Sequence, residues 1–191
     1  MLKYWQRRPE SAEVREWLGD SAVKTCVFHR TTSDFEVFDT SRGDLGTHFG
    51  PLQLVNTLPR FEAADGEVMP GDRIIPAWLR MRRPLRLRDE GSFHADGIAI
   101  QLAQKGLLSM KQAREIFSEC DANFRARKHH DPYLLALIKN AGYDGVSYLS
   151  VWDRVRGGCF IAFESTQICP AFVARDGLFQ DEYHAMRERM R

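Results

Sequence analysis

The sequence predicts an α+β fold, and two observations carry that reading. Apolar runs rich in β-forming residues lie toward both ends of the chain, and segments of helical period with helix caps fill the middle. Element by element, Ser11 to Leu18, following Pro9, sets Val14, Trp17 and Leu18 on one side and predicts a short amphipathic helix. Lys24 to His29 reads as a strand. Gly43 to Gly50 reads as a loop whose glycines let backbone approach something closely, and Pro51 to Leu58 as a helical turn. Arg73 to Met81 is a strand with Pro76 near an edge or a bulge, and Pro84 to Leu87 continues extended. Ser92 to Lys105 predicts a helix ended by Gly106. Ser109 with Gln112 makes a capping box that opens the next helix, to about Arg125. Asp131 with Pro132 caps a third, running to Asn140 and stopped by Gly142. Gly145 to Leu149 and Cys159 to Phe163 read as paired strands joined by SVWDRVRGG, and the charged segment from Asp176 to Arg191 as a terminal helix.

Composition narrows the class. The 191 residues are 43% hydrophobic and 28% charged, ordinary values for one globular domain with short extensions. A net charge of +1 gives no global field toward nucleic acid or an anionic membrane, so basic character must act locally. The four cysteines, Cys26, Cys120, Cys159 and Cys169, are far apart and form no CxxC pair, which suits reduced thiols better than disulfides or a zinc site. The N-terminus MLKYWQRRPE carries no apolar stretch before a cleavage site, and no run reaches membrane-spanning length. The expectation is a soluble, cytoplasmic protein.

Three motifs are weighed against bland alternatives. GDLGTHFG does not have the GxGxxG spacing and follows no long hydrophobic strand, which excludes a dinucleotide-binding Rossmann motif. KHHD, Lys128 to Asp131, sets two adjacent histidines that diverge in direction, so it reads as a solvated helix-capping turn rather than a metal site. RMRRPLRLR, Arg80 to Arg88, alternates five arginines with apolar residues, as a solvated sheet face or as a surface for an anionic ligand or RNA. In VFHRTT the apolar strand ends on a polar cluster, His29, Arg30, Thr31 and Thr32, whose hydrogen-bonding groups raise the question of a ligand.

FHRTT resembles the HGT or HGS start of ADP-ribosyltransferases of the diphtheria-toxin and poly-ADP-ribose polymerase type. The resemblance continues through GTHFG, through IIPAWLRMRRPLRLRD (the family's "NPLRL.D"), through AGYDGVSYLSVWD ("GYDGVVYVNEVE") and through CFIAFESTQI ("SYIVFDPSQI"), in that order from about Thr25 to Ile168. The last two stretches resemble the ADP-ribosyltransferase-like domains of phage polyvalent proteins and related bacterial toxins. The resemblance implies a split antiparallel sheet framing an NAD cleft, with flanking helices. It implies an extension over residues 1–22, the ADP-ribosyltransferase-like domain over 23–175 and a charged tail over 176–191.

The chemistry makes these residue types sensible. Transfer of ADP-ribose from NAD breaks a glycosidic carbon–nitrogen bond through an oxocarbenium-like transition state, as in glycoside hydrolysis. By the resemblance, His29 hydrogen-bonds a ribose hydroxyl, the Arg30 backbone holds the nicotinamide carboxamide, and Thr31 or Thr32 contacts the adenosine side. His48 and Phe49 supply a flat surface for nicotinamide, with Gly46 and Gly50 letting the backbone close around it.

The sequence departs from the family at four points. Arg30 stands where the family has glycine. Cys159 stands where the polymerase-type glutamate begins the last strand. Ser150 to Asp153 matches "NxxE" with a shorter acid and no asparagine, and Glu164 matches a variable acidic position. The resemblance thus implies a mono-ADP-ribosyltransferase using NAD as co-substrate, with His29 and Asp153 catalytic and Glu164 the rival acid. Its acceptor is a protein or RNA, and an antitoxin or immunity partner fits a toxin, phage or defence setting. The alternatives are an inactive binding module of the same fold and a nucleic-acid-binding protein using Arg80 to Arg88 and Arg125 to Lys128.

Overall fold

The computed structural model describes residues 12–32, 35, 37–57, 73–151 and 158–171. Among the described residues the fold is α+β, with five α-helices and two mostly antiparallel sheets. The elements are α1 (Ala12–Leu18), β1 (Val27–Thr31), β2 (Thr47–Phe49), α2 (Leu52–Thr57), β3 (Arg73–Leu79), β4 (Pro84–Arg86), α3 (Ala95–Gln104), α4 (Met110–Ala122), α5 (Ala126–Asn140), β5 (Gly145–Tyr148), β6 (Cys159–Ala162) and β7 (Ile168–Pro170). No described helix is long and apolar enough to cross a membrane. The chain divides into two compact units. The first comprises Met1–Phe38, Phe49–Arg82 and Thr166–Arg191, and the second Asp39–His48 and Arg83–Ser165. The expected boundary at residue 22 falls inside the first unit, and the expected tail 176–191 lies outside the described residues.

In the first unit three strands pair in the order β1-β3-β7. The period-2 alternation of β1 sends Phe28 and Arg30 to one face and Val27, His29 and Thr31 to the other. Phe28 packs with Trp78, Val55 and Cys169 against Val14 and Leu18 of α1. Each such buried side chain contributes about 1.5–3 kcal/mol, and that burial holds a seven-residue helix too short to persist alone. Pro76 corrects the edge-strand expectation, because β3 is the central strand. Its partner Phe28 exchanges both backbone bonds with Gly50, so β1 asks nothing of the Pro76 nitrogen, and on the other side Pro76 O accepts from Ala171 N at 2.9 Å just past the Ala77–Pro170 pair. The missing proline N–H therefore falls at the end of the β7 ladder, where its absence removes at most one terminal bond.

In the second unit the order is β2-β6-β5-β4, with β5 antiparallel to β6 and parallel to β4. Leu85, Val146 and Ile161 from this sheet meet Ile98 and Leu102 of α3, Ile116 of α4, and Leu134 and Ile138 of α5 in one core. The Ser109–Gln112 capping box is present at the start of α4. Gly142, with φ of 81°, closes α5 in a Schellman motif, its N–H bonding Lys139 O at 2.9 Å and that of Tyr143 bonding Ile138 O at 3.2 Å.

Two local readings are corrected here. Residues 47–49, expected in a loop, form β2. Asp131 is no cap: α5 starts at Ala126, and Pro132 lies inside it. A turn at Asn123, whose Oδ1 accepts from Arg125 N at 3.1 Å, starts the helix early. An interior proline costs about 3 kcal/mol, a deficit that full burial of Leu134 and Ile138, two and six residues later, offsets.

Candidate functional site

His29 is half-buried on β1, on the face opposite the α1 cluster, and rests on aromatic rings. Its ring lies 5.5 Å from Phe49, tilted, and 5.5 Å from Phe38, edge-on. Phe38 in turn contacts Phe49 at 5.5 Å and Phe35 at 4.8 Å. Such ring pairs add about 0.5–1.5 kcal/mol each beyond area burial, so the imidazole sits on a stiff bed. Phe49 is only 2% exposed, its ring covered by these neighbours. Phe28 bonds Gly50 on the side of β1 away from β3, and alternation turns the Arg30 backbone amide and carbonyl to that same side. Thr31 is buried, while Thr32 is half-buried just past the strand end.

His48 belongs to different surroundings. Adjacent residues of β2 face opposite ways, so His48 and Phe49 do not form the single stacking surface expected of them. His48 Nε2 donates to the carbonyl of Asp44 at 3.0 Å, which leaves Nδ1 to accept from the Tyr148 hydroxyl at 3.2 Å. Phe93 lies 5.4 Å from His48 and 4.4 Å from Tyr148. Burial pushes the Tyr148 hydroxyl far above its ordinary range, with the neighbouring Cys159 and Asp89 adding to it, so it stays protonated and donates. The glycines expected to close around a ligand close on the protein itself: a Cβ at Gly46 would collide with the Ala162 carbonyl, and one at Gly43 with the Gly46 carbonyl.

The acids differ in standing. Asp153 lies outside the described residues. Glu164 is exposed and paired with Lys139. Cys159, where the resemblance would set a glutamate, is 1% exposed on β6. Asp89, the last residue of the stretch matching "NPLRL.D", accepts from Gly91 N at 2.8 Å and from Val151 N at 3.0 Å, so it holds the chain two residues before Asp153.

KHHD falls within α5 rather than on a solvated turn. His129 is exposed, and His130 Nε2 donates to Glu119 at 2.9 Å. Among the described residues no group of three or more His, Cys, Asp or Glu is arranged to hold a metal ion. Lys128 instead bridges Asp44 at 2.8 Å and Asp131 at 3.6 Å, and Arg127 bonds His94 at 2.9 Å and Asp96 at 3.1 Å. This charged network, unread in the sequence, pins α5 to the loop before β2 and to the start of α3. Burial pushes the Asp131 carboxyl up, against the pull of Lys128, while the bond to Asp44 pushes Lys128 up.

The arginine run is divided between the units. Arg80 stacks over Trp17 at 5.1 Å and Arg82 pairs with Asp20 at 2.6 Å in the first; Arg83 lies over Tyr143 at 4.7 Å in the second, with Arg86 and Arg88 beyond it. No protein-family model matches the chain, and neither does any curated protein or solved structure.

Proposed function

We propose that the protein is an NAD-dependent mono-ADP-ribosyltransferase whose NAD-binding residues centre on His29. The observation that carries the reading is His29 in the middle of β1, half-buried on the Phe38–Phe49 bed with the Arg30 backbone turned away from β3. A ring held this way keeps a fixed direction for a hydrogen bond to ribose, while a strand-end backbone amide and carbonyl match the two polar atoms of a carboxamide. Thr32 is the more accessible partner for the adenosine side. In the reaction the bond from ribose C1′ to the nicotinamide nitrogen breaks, and nicotinamide leaves neutral with the electron pair. The acceptor nucleophile then bonds to C1′ and gives up its proton. Asp153 is the acid proposed to stabilise the cationic ribose. The pairing of Glu164 with Lys139 supports that ranking.

A second reading, a non-catalytic NAD or partner-protein binder of the same fold, draws on the buried thiol of Cys159 at the family's acid position. Incubation with NAD labelled in its adenylate phosphate and whole-cell lysate separates the two. Released nicotinamide together with label on a macromolecule supports transfer, and absence of both overturns it. Protease removes the label from a protein acceptor, and ribonuclease removes it from RNA.

A further inference from the structure

A pocket of about 360 Å³ in the second unit is lined by Arg86, Leu87, Arg88, Gln101, Gln104 and Lys105. Three of the six are cations and none is an acid. The other arginines of the run are held by Trp17, Asp20 or Tyr143, but among the described residues Arg86, Arg88 and Lys105 make no ion pair. Asp89, the nearest carboxylate in sequence, is occupied by the Gly91 and Val151 amides.

The pocket is also built rather than merely charged. Gln101, 5% exposed, accepts from Arg88 N at 2.7 Å and donates to Arg88 O at 3.0 Å, clamping the backbone as a neighbouring strand would. Gln104 accepts from the Arg88 guanidinium at 2.8 Å, fixing its direction and leaving the remaining N–H groups for another acceptor. Leu87 N bonds Ser147 O at 3.0 Å, so the strand ladder continues past β4 and keeps Arg86 and Arg88 two residues apart on one face, roughly 7 Å from each other. Two guanidiniums at that spacing, joined by Lys105 at the end of α3, suit adjacent phosphoryl groups, which arginine grips with paired N–H donors. The volume is that of a small-molecule site.

We infer that this pocket binds phosphate oxyanions, the phosphoryl groups of a nucleotide or of an RNA strand. The inference does not depend on the NAD reading. Its rival is that the cations only guard β4, the last strand of its sheet, against pairing with another chain.

The test uses the full chain, with inorganic pyrophosphate and a single-stranded oligoribonucleotide as probes. Binding is followed by calorimetry and by amide NMR shifts. Pyrophosphate should shift the amides of Arg88 and Gln101 to Lys105. Arg86→Gln and Lys105→Gln, which remove no side-chain hydrogen bond among the described residues, should keep the melting temperature and each weaken binding by roughly tenfold or more, as loss of a charge-assisted contact does. An oligonucleotide that displaces pyrophosphate and binds more tightly identifies RNA as the source. Its log–log salt slope should then fall by about one per substitution. Binding of pyrophosphate without the oligonucleotide identifies a small phosphorylated ligand. If neither probe shifts these amides, or both bind the variants as tightly as the parent, the inference is wrong and the edge-guard role stands alone.

Discussion

His29 and His48 are both strand histidines at the ends of short polar motifs, yet their surroundings differ. His29 lies on the rings of Phe38 and Phe49, contacts that fix the imidazole by its faces and edges. His48 has both ring nitrogens engaged, one donating to the Asp44 carbonyl and one accepting from Tyr148. A histidine with both nitrogens bonded inside the protein sets structure, because its tautomer is fixed and it has no donor left for a ligand. Residue type and motif position alone do not tell a histidine seated among aromatic rings from one bonded through both nitrogens; the groups packed around each do.

The strongest test of the site's chemistry is the acid. Asp153→Asn should lower nicotinamide release by orders of magnitude with little change in NAD affinity, the sign of an interaction made in the transition state. Glu164→Gln should leave turnover near the parent level, because its carboxylate already serves Lys139. Reversed results would transfer the role to Glu164.

His48→Ala removes the ring nitrogen to which the Tyr148 hydroxyl donates and leaves the Asp44 carbonyl without the His48 donor. It should lower unfolding free energy in urea by about 1–3 kcal/mol, and Tyr148→Phe by about 0.5–1.5 kcal/mol. A His48 variant as stable as the parent would remove the structural assignment.

A smaller effect separates Asp131 from Asp39. The folded carboxyl of Asp131 is raised by burial, so its contribution is fully present below the unfolded value of 3.8 and is lost as pH rises through the folded one. Asp39 is lowered by hydrogen bonds from Ser41, so its contribution is present above 3.8 and is lost as pH falls through the folded value. Melting curves at stepped pH should show the parent gaining on Asp131→Asn as pH falls from neutral toward 4, and losing ground to Asp39→Asn below that. A constant gap to Asp131→Asn would mean its carboxyl is not shifted.

The thiols should show the smallest response. All four cysteines are free and buried, and burial pushes Cys26 up to about 12 and Cys169 to about 11. At pH 8 a thiol reagent should modify the native protein slowly and react at four sites once it is denatured. Fast modification of either Cys26 or Cys169 would contradict the buried core around α1.

Local signals in the sequence carried the fold a long way. The Ser109–Gln112 box, the stop at Gly142 and the apolar run from Ile74 to Leu79 each act within a few residues, and each is present. Asp131–Pro132 misled because an equally local cap signal lost to the burial of Leu134 and Ile138 downstream. β2 escaped notice because a three-residue strand between glycines has no period to read. The bond from Tyr148 to His48 spans 100 residues and the clamp of Asp89 on Val151 spans 62, so neither has a sequence signal of its own. The one available hint was alternation, which puts Tyr148 on the same face as the fully buried Val146.

The contrast between the two histidines is tested most directly by nicotinamide release, measured per mole of folded protein for the parent, His29→Ala and His48→Ala. The expected result is turnover by the parent, loss of release and weakened NAD binding in His29→Ala with its melting temperature nearly kept, and retained release in whatever fraction of His48→Ala stays folded. Normal release by His29→Ala, or no release by the parent, would contradict it.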